Sequence, residues 1–182
     1  MELAAMEFSD QAPYPAIQVE RKNRHYAHAM LNNIGSRHSE ISTIALYVYN
    51  STITKEAAEE ISFCFHKISV VEMHHLSIFA QLAHLLGADP RLWSRESKRN
   101  GLNLWNSNKF GMCYWNAGYN SYTTQLPQML KNAIAGERKA IETYKKQCGW
   151  IKDENIRDNL ERIILDEEIH VKLLCQLYGE YA

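Results

Sequence analysis

Two Glu-x-x-His pairs occur in the chain, Glu72/His75 and Glu167/His170. On a helix each would set a carboxylate and an imidazole one turn apart on the same face. Both interrupt apolar stripes of helical spacing: Ile61, Phe65, Ile68, Glu72, His75/Leu76, Phe79, Leu82, Leu86, and Leu160, Ile163/Ile164, Glu167, His170/Val171, Leu174, Leu177. Two further stripes carry one carboxylate each, Glu40 among Ile34, Arg37, Ile41, Ile44, Tyr47 and Val48, and Glu137 among Leu130, Ala133, Ile134, Ala140, Ile141, Tyr144 and Cys148. An ionised carboxylate in an apolar interior is costly unless paired or bound to a metal, and four at one level repel one another. Two divalent cations would balance the four charges and leave two neutral imidazoles to complete the ligand set. Carboxylate oxygen and imidazole nitrogen without thiolate suit iron or manganese, with zinc able to substitute. Glu40, Glu72, His75, Glu137, Glu167 and His170 are therefore the candidate metal ligands, and the four glutamates the candidate catalytic groups.

Spacing alone is weak support, because 16 Glu and 8 His in 182 residues supply about 0.7 Glu-x-x-His pairs by chance. Internal duplication adds to it. The stretch from Glu40 to Tyr47 matches that from Glu137 to Tyr144 in its Glu, its Ile (Ile44, Ile141) and its Tyr, and Glu40 precedes Glu72 by 32 residues where Glu137 precedes Glu167 by 30. Two helix hairpins around a shared pseudo-twofold site would have this pattern.

The elements that must position these groups are four long helices. The first is expected over about 20–50, the second from Thr54 as N-cap to Leu86 with Gly87 as stop, the third from Pro127 to about Cys148 and the fourth from about Asp153 to Tyr178. Short links join the first to the second and the third to the fourth. Residues 88–126, rich in Trp, Tyr, Asn and Gly, read as an ordered crossover in which Trp105, Trp115 and Tyr119 cover the site, or pack over the bundle or against a dimer partner. The fold class expected is all-α: an antiparallel four-helix bundle over residues 20–182 with a long crossover between helices 2 and 3, preceded by an extended arm over residues 1–19 that contains Pro13 and Pro15.

The stretches SEISTIALYVYN, VVEMHHLSIFAQLAHLLG and ERIILDEEIHVKLL resemble the ferritin-like superfamily, in particular rubrerythrin-type and bacterioferritin-type di-iron proteins and more distantly manganese catalase. The resemblance spans about residues 30–178 apart from the crossover. It implies that Glu72 and Glu167 bridge the two metals, that Glu40 and Glu137 are terminal ligands, and that His75 and His170 bind one metal each. It also implies an oxidoreductase acting on hydrogen peroxide or dioxygen, with peroxide removal as the setting. The alternative is a ferroxidase or iron-binding protein whose substrate is Fe²⁺. The chain carries no cysteine-rich electron-transfer module of the kind found in full rubrerythrins, and only twelve residues follow His170. A homodimer is therefore expected rather than a storage shell, with a separate electron-donor protein where iron chemistry needs one.

The net charge of −1 has no long block of either sign, which gives nucleic acid and anionic membranes nothing to bind. No membrane span or secretory start is visible, so a cytoplasmic protein is expected. Cys64, Cys113, Cys148 and Cys175 form no Cys-x-x-Cys pair and read as isolated thiols. Tyr47 and Tyr144 read first as core aromatics, with a role in orienting ligands as the alternative. His66, His74 and His84 fall off the metal-facing stripe and are not expected to ligate, and Glu142, Asp166 and Glu168 also point away from it and are expected on solvated faces.

Overall fold

Residues three and four apart share a buried face only where the chain is helical, and the four apolar stripes do so. A computed structural model describes residues 6–92 and 115–181, and among these there are five α-helices and no strand. They are α1 Arg24–Gly35, α2 Glu40–Thr54, α3 Glu59–Leu85, α4 Leu126–Trp150 and α5 Glu154–Tyr181. α2 packs on α3, α4 packs on α5, and α1 continues along α3 beyond α2. The result is the antiparallel ferritin-like bundle of four rods, with the first rod built from α1 and α2.

That break corrects the single helix expected over 20–50. Ser36 is extended, and its carbonyl accepts hydrogen bonds from Ser39 Oγ (2.7 Å) and Ser42 Oγ (3.1 Å). Serine hydroxyls close to the backbone compete with the helical ladder. As a consequence Glu40 is the first residue of α2, where the helix dipole favours a negative charge. Thr54 is likewise the last residue of α2 and not the N-cap of the next helix, its hydroxyl bonding back to the Asn50 carbonyl at 2.7 Å. Gly87 ends α3 at a φ of 96° that L-residues rarely adopt, and Pro127 lies in the first turn of α4.

The core is two apolar clusters. One contains Met30, Ile34, Ile78, Phe79, Leu82, Tyr144, Leu160 and Ile163, and the other Tyr47, Phe65, Ile68, Leu130, Ala133, Leu173 and Leu174. Along α3 the first cluster follows His75 and the second precedes Glu72, while α5 runs the opposite way, so the Glu/His layer lies between them. A reciprocal amide pair, Asn33 with Gln147 at 2.7 and 2.8 Å, ties α1 to α4 beyond that layer. Tyr47 and Tyr144 are almost fully buried, one in each cluster.

Residues 6–23 contain no helix and lie against α3 and α5: Phe8 meets Phe63 edge to face, and Arg162 donates to the carbonyls of Asp10 and Ala12, both at 2.7 Å. Of the crossover, residues 115–125 run past α2, where Trp115 Nε1 donates to Ser42 Oγ (3.1 Å) and Asn120 Nδ2 to the Ser42 carbonyl (3.0 Å). Trp105 and Cys113 lie outside the described residues. No described helix is long and apolar enough to cross a membrane.

Candidate metal centre

The six residues singled out by type and spacing converge in one buried layer. Glu72, His75, Glu167 and His170 have no measurable exposure, and Glu40 and Glu137 are 2% exposed. Ligand atoms of Glu40, Glu72, His75 and Glu167 lie within 4.8 Å of one another, as do those of Glu72, Glu137, Glu167 and His170. Glu72 and Glu167 thus belong to both groups, and each group has one further glutamate and one histidine of its own. The duplicated sequence is a duplicated site.

The two shared carboxylates are crossed. Glu72 turns Oε2 to His75 Nδ1 (3.1 Å) and Oε1 to His170 Nδ1 (3.0 Å), while Glu167 turns Oε2 to His170 Nδ1 (3.0 Å) and Oε1 to His75 Nδ1 (3.3 Å). Each oxygen therefore faces a different imidazole. The far ring nitrogens point out of the layer, His75 Nε2 to Asp166 Oδ2 (3.0 Å) and His170 Nε2 to the Phe8 carbonyl oxygen (2.9 Å). A carboxylate and a carbonyl accept but do not donate, so both partners place a ring proton on Nε2, and Nδ1, turned to the Glu72 and Glu167 oxygens, is the nitrogen a cation would take in place of its own proton.

Tyr47 donates its hydroxyl hydrogen bond to Glu137, and Tyr144 donates to Glu40. Each hairpin therefore supplies the tyrosine that holds a glutamate of the other hairpin, which favours the orienting role over packing alone. The duplication had already singled out both tyrosines. Burial, and then the nearby carboxylates, push both phenols well above their usual range, so they stay protonated donors.

Electrostatically the layer is frustrated. Burial first, and then the charges of Glu72 and Glu167, hold the Glu40 and Glu137 carboxyls well above the usual range. Burial would depress both imidazoles, but contacts with carboxylates outweigh it and raise His75 and His170 well above theirs. Glu72 is held low, its desolvation overcome by hydrogen bonds to His170 and His75. Without a cation the six groups approach neutrality only by holding protons on the Glu40 and Glu137 carboxyls and on both rings. A pair of divalent cations would remove that conflict, and the residues fit one: Oε1 of Glu72 and Oε1 of Glu167 are buried and have no well-formed hydrogen bond beyond their 3.0 and 3.3 Å approaches to the imidazole Nδ1 atoms, in a donor set of hard oxygens with two imidazoles.

Asp166 corrects a second expectation. It was assigned to a solvated face, yet it is fully buried and its carboxylate accepts from His75 Nε2, the Tyr14 hydroxyl, the Asp10 amide (2.7 Å) and Arg162 Nη1 (2.7 Å). Despite its burial, these bonds hold its carboxyl down at about 2. Sequence reasoning missed it because two of its four partners come from the arm, which no helical period reports. Glu142 and Glu168 are exposed and paired with lysines, as expected, and His66, His74 and His84 are exposed on α3 outside the six-residue layer.

A rubrerythrin family model matches residues 35–178. The chain belongs to the rubrerythrin family. This member is 26% identical over 161 residues to a probable manganese catalase of Clostridium acetobutylicum, an alignment spanning 85% of this chain and 70% of that protein. Its fold matches the crystal structure of wild-type KatB, a manganese catalase from Anabaena, with a TM-score of 0.73 at 21% identity, over 96% of this chain and 80% of that one. A second KatB structure from Anabaena matches with a TM-score of 0.74 at 19% identity and the same coverage.

A cavity of about 340 Å³ opens between α2 and α4 and reaches Glu40, Glu137 and Tyr144. Its wall includes Ser42, Asn120 and Gly136, and a Cβ built at Gly136 would meet nothing within 4 Å. The arm covers the histidine side of the layer, so the cavity approaches Glu40 and Glu137 from a different side.

Proposed function

We propose that the six-residue layer holds two divalent ions, manganese or iron, and that the loaded protein consumes hydrogen peroxide. The crossed placement of Glu72 and Glu167, each with one oxygen toward each histidine, carries this reading. Glu40 with His75 would complete one metal position and Glu137 with His170 the other. When bound, such a pair supplies Lewis acidity and two electrons' worth of redox capacity.

What the chain itself contributes is access, orientation and proton handling. The α2–α4 cavity admits small polar molecules to Glu40 and Glu137, whose carboxylates can accept a proton from an arriving peroxide and return it. Tyr144 and Tyr47 hold those carboxylates in place by hydrogen bonds. The apolar clusters on either side of the layer exclude bulk water, which strengthens every charge interaction inside it. The likeness to proteins named manganese catalase supports disproportionation, in which two hydrogen peroxide molecules become two waters and one dioxygen with no external reductant.

The test is to load the metal-free protein with Mn²⁺ and follow peroxide loss and oxygen release together. Oxygen at half the peroxide consumed, with turnover greatly slowed by Glu40→Gln, is the expected result. Consumption only in the iron form and only with an added electron donor would favour a peroxidase. Inertness to peroxide with oxidation of Fe²⁺ into a retained mineral would establish the ferroxidase alternative.

A further inference from the structure

Residues 6–23, a segment that precedes the family match at residue 35, reach the outer nitrogen of His170 directly and that of His75 through Asp166 of α5. His170 Nε2 meets the Phe8 carbonyl directly. His75 Nε2 meets Asp166, two of whose other partners, the Asp10 amide and the Tyr14 hydroxyl, belong to the arm. Arg162 fastens this piece of chain: it donates to the Ala12 and Asp10 carbonyls, pairs with Asp166, and lies with its guanidinium carbon 4.0 Å from the centre of the Tyr14 ring. Tyr14 in turn stands edge-on to His74, its ring centre 4.4 Å away.

From these contacts we infer that the N-terminal arm is a positioning element of the metal centre, a strap whose docking fixes the tautomer and orientation of His75 and His170 and so sets metal affinity. The inference rests on the di-metal reading above. Outer partners of ligating histidines typically change metal affinity 10–100-fold. With the arm undocked, His170 has no acceptor on its outer nitrogen and Asp166 keeps only Arg162 and His75. The two metal positions are also unequal. The one containing His75 is backed by an ionised carboxylate, the one containing His170 by a neutral carbonyl, so the His75 position binds the more tightly.

Metal binding and arm docking are then coupled, and the coupling is reciprocal. The experiment uses the full chain and Mn²⁺ alone, with bound metal counted by the loss of the free-ion electron paramagnetic signal and arm docking read from hydrogen exchange at the Asp10 amide. Wild type should take up two Mn²⁺ in two steps, and exchange at Asp10 should slow on loading. Asp166→Asn should weaken one step 10–100-fold, an effect that persists in a His170→Ala background and disappears in a His75→Ala background. Tyr14→Phe and Arg162→Gln should weaken metal binding while raising Asp10 exchange, with helicity unchanged, and Arg162→Lys should recover part of the loss. If Asp10 exchange rises in Tyr14→Phe and Arg162→Gln but both Mn²⁺ steps match wild type, the strap inference is overturned and the di-metal reading stands. If wild type itself takes up fewer than two Mn²⁺, the di-metal reading falls first.

Discussion

Gly136 gives a substitution in which stability and turnover should part company. It lies within α4 beside Glu137, lines the α2–α4 cavity, and has open space where a Cβ would point. A glycine inside a helix costs about 1 kcal/mol relative to alanine, and nothing in the structure would clash with the added methyl. Gly136→Ala should therefore raise the melting temperature by roughly 2–4 °C, and because a methyl takes up little of a cavity of about 340 Å³, peroxide turnover should be unchanged. Gly136→Trp places an indole, a side chain that covers roughly 150–250 Å², in the approach to Glu40 and Glu137. Its expected effect is a fall in kcat/KM for hydrogen peroxide of at least about tenfold, or about 1.4 kcal/mol, with both Mn²⁺ still bound. Paired melting curves, metal counts and oxygen-electrode kinetics on the three proteins check this. Wild-type turnover in the folded, metal-loaded Trp variant would refute access through this cavity.

The double variant Glu72→Ala/Glu167→Ala should stay helical yet bind no metal pair. Where wild type at about 100 times Kd gains roughly 2.7 kcal/mol for each ion, or some 10–20 °C for two, the variant's melting curve should not respond to Mn²⁺. Tyr47→Phe and Tyr144→Phe each remove the donor to one buried carboxylate, and each should weaken Mn²⁺ binding about 10–100-fold in chelator competition; an unchanged affinity would confine both to packing. Asp166 should appear in acid unfolding of the metal-free protein. Its folded carboxyl is held at about 2 against an ordinary 3.8, so its contribution is complete above about pH 4 and lost as pH falls through 2. Over that window wild type should lose about 2 kcal/mol more stability than Asp166→Asn, and equal losses would show that the carboxylate is not held in its charged form.

The ligand layer could be read from sequence because burial and charge conflict at single positions. A glutamate in an otherwise apolar stripe stands out against the helical period, and Glu72, His75, Glu167 and His170 did so twice with one spacing. Helix pairing followed from the same stripes. The break at 36–39 was not visible that way, since it comes from serine hydroxyls competing for one carbonyl and leaves the apolar period on either side nearly in phase. Tyr47 and Tyr144 were visible as a repeat, but that each reaches across to the opposite hairpin's glutamate is a property of packed helices. Asp166 sits one position from Glu167, off the stripe, and two of the four groups bonded to it, the Asp10 amide and the Tyr14 hydroxyl, come from the arm. An extended segment without regular structure carries no period from which its docking could be inferred.

The most direct test of the metal centre is anomalous diffraction from crystals of protein isolated from its own source, recorded at the manganese and iron edges. Two ions about 3.5–4 Å apart are expected, one touched by His75 and Glu40 and the other by His170 and Glu137, with Glu72 and Glu167 on both. A single ion, or both histidines on the same ion, would contradict the proposed centre.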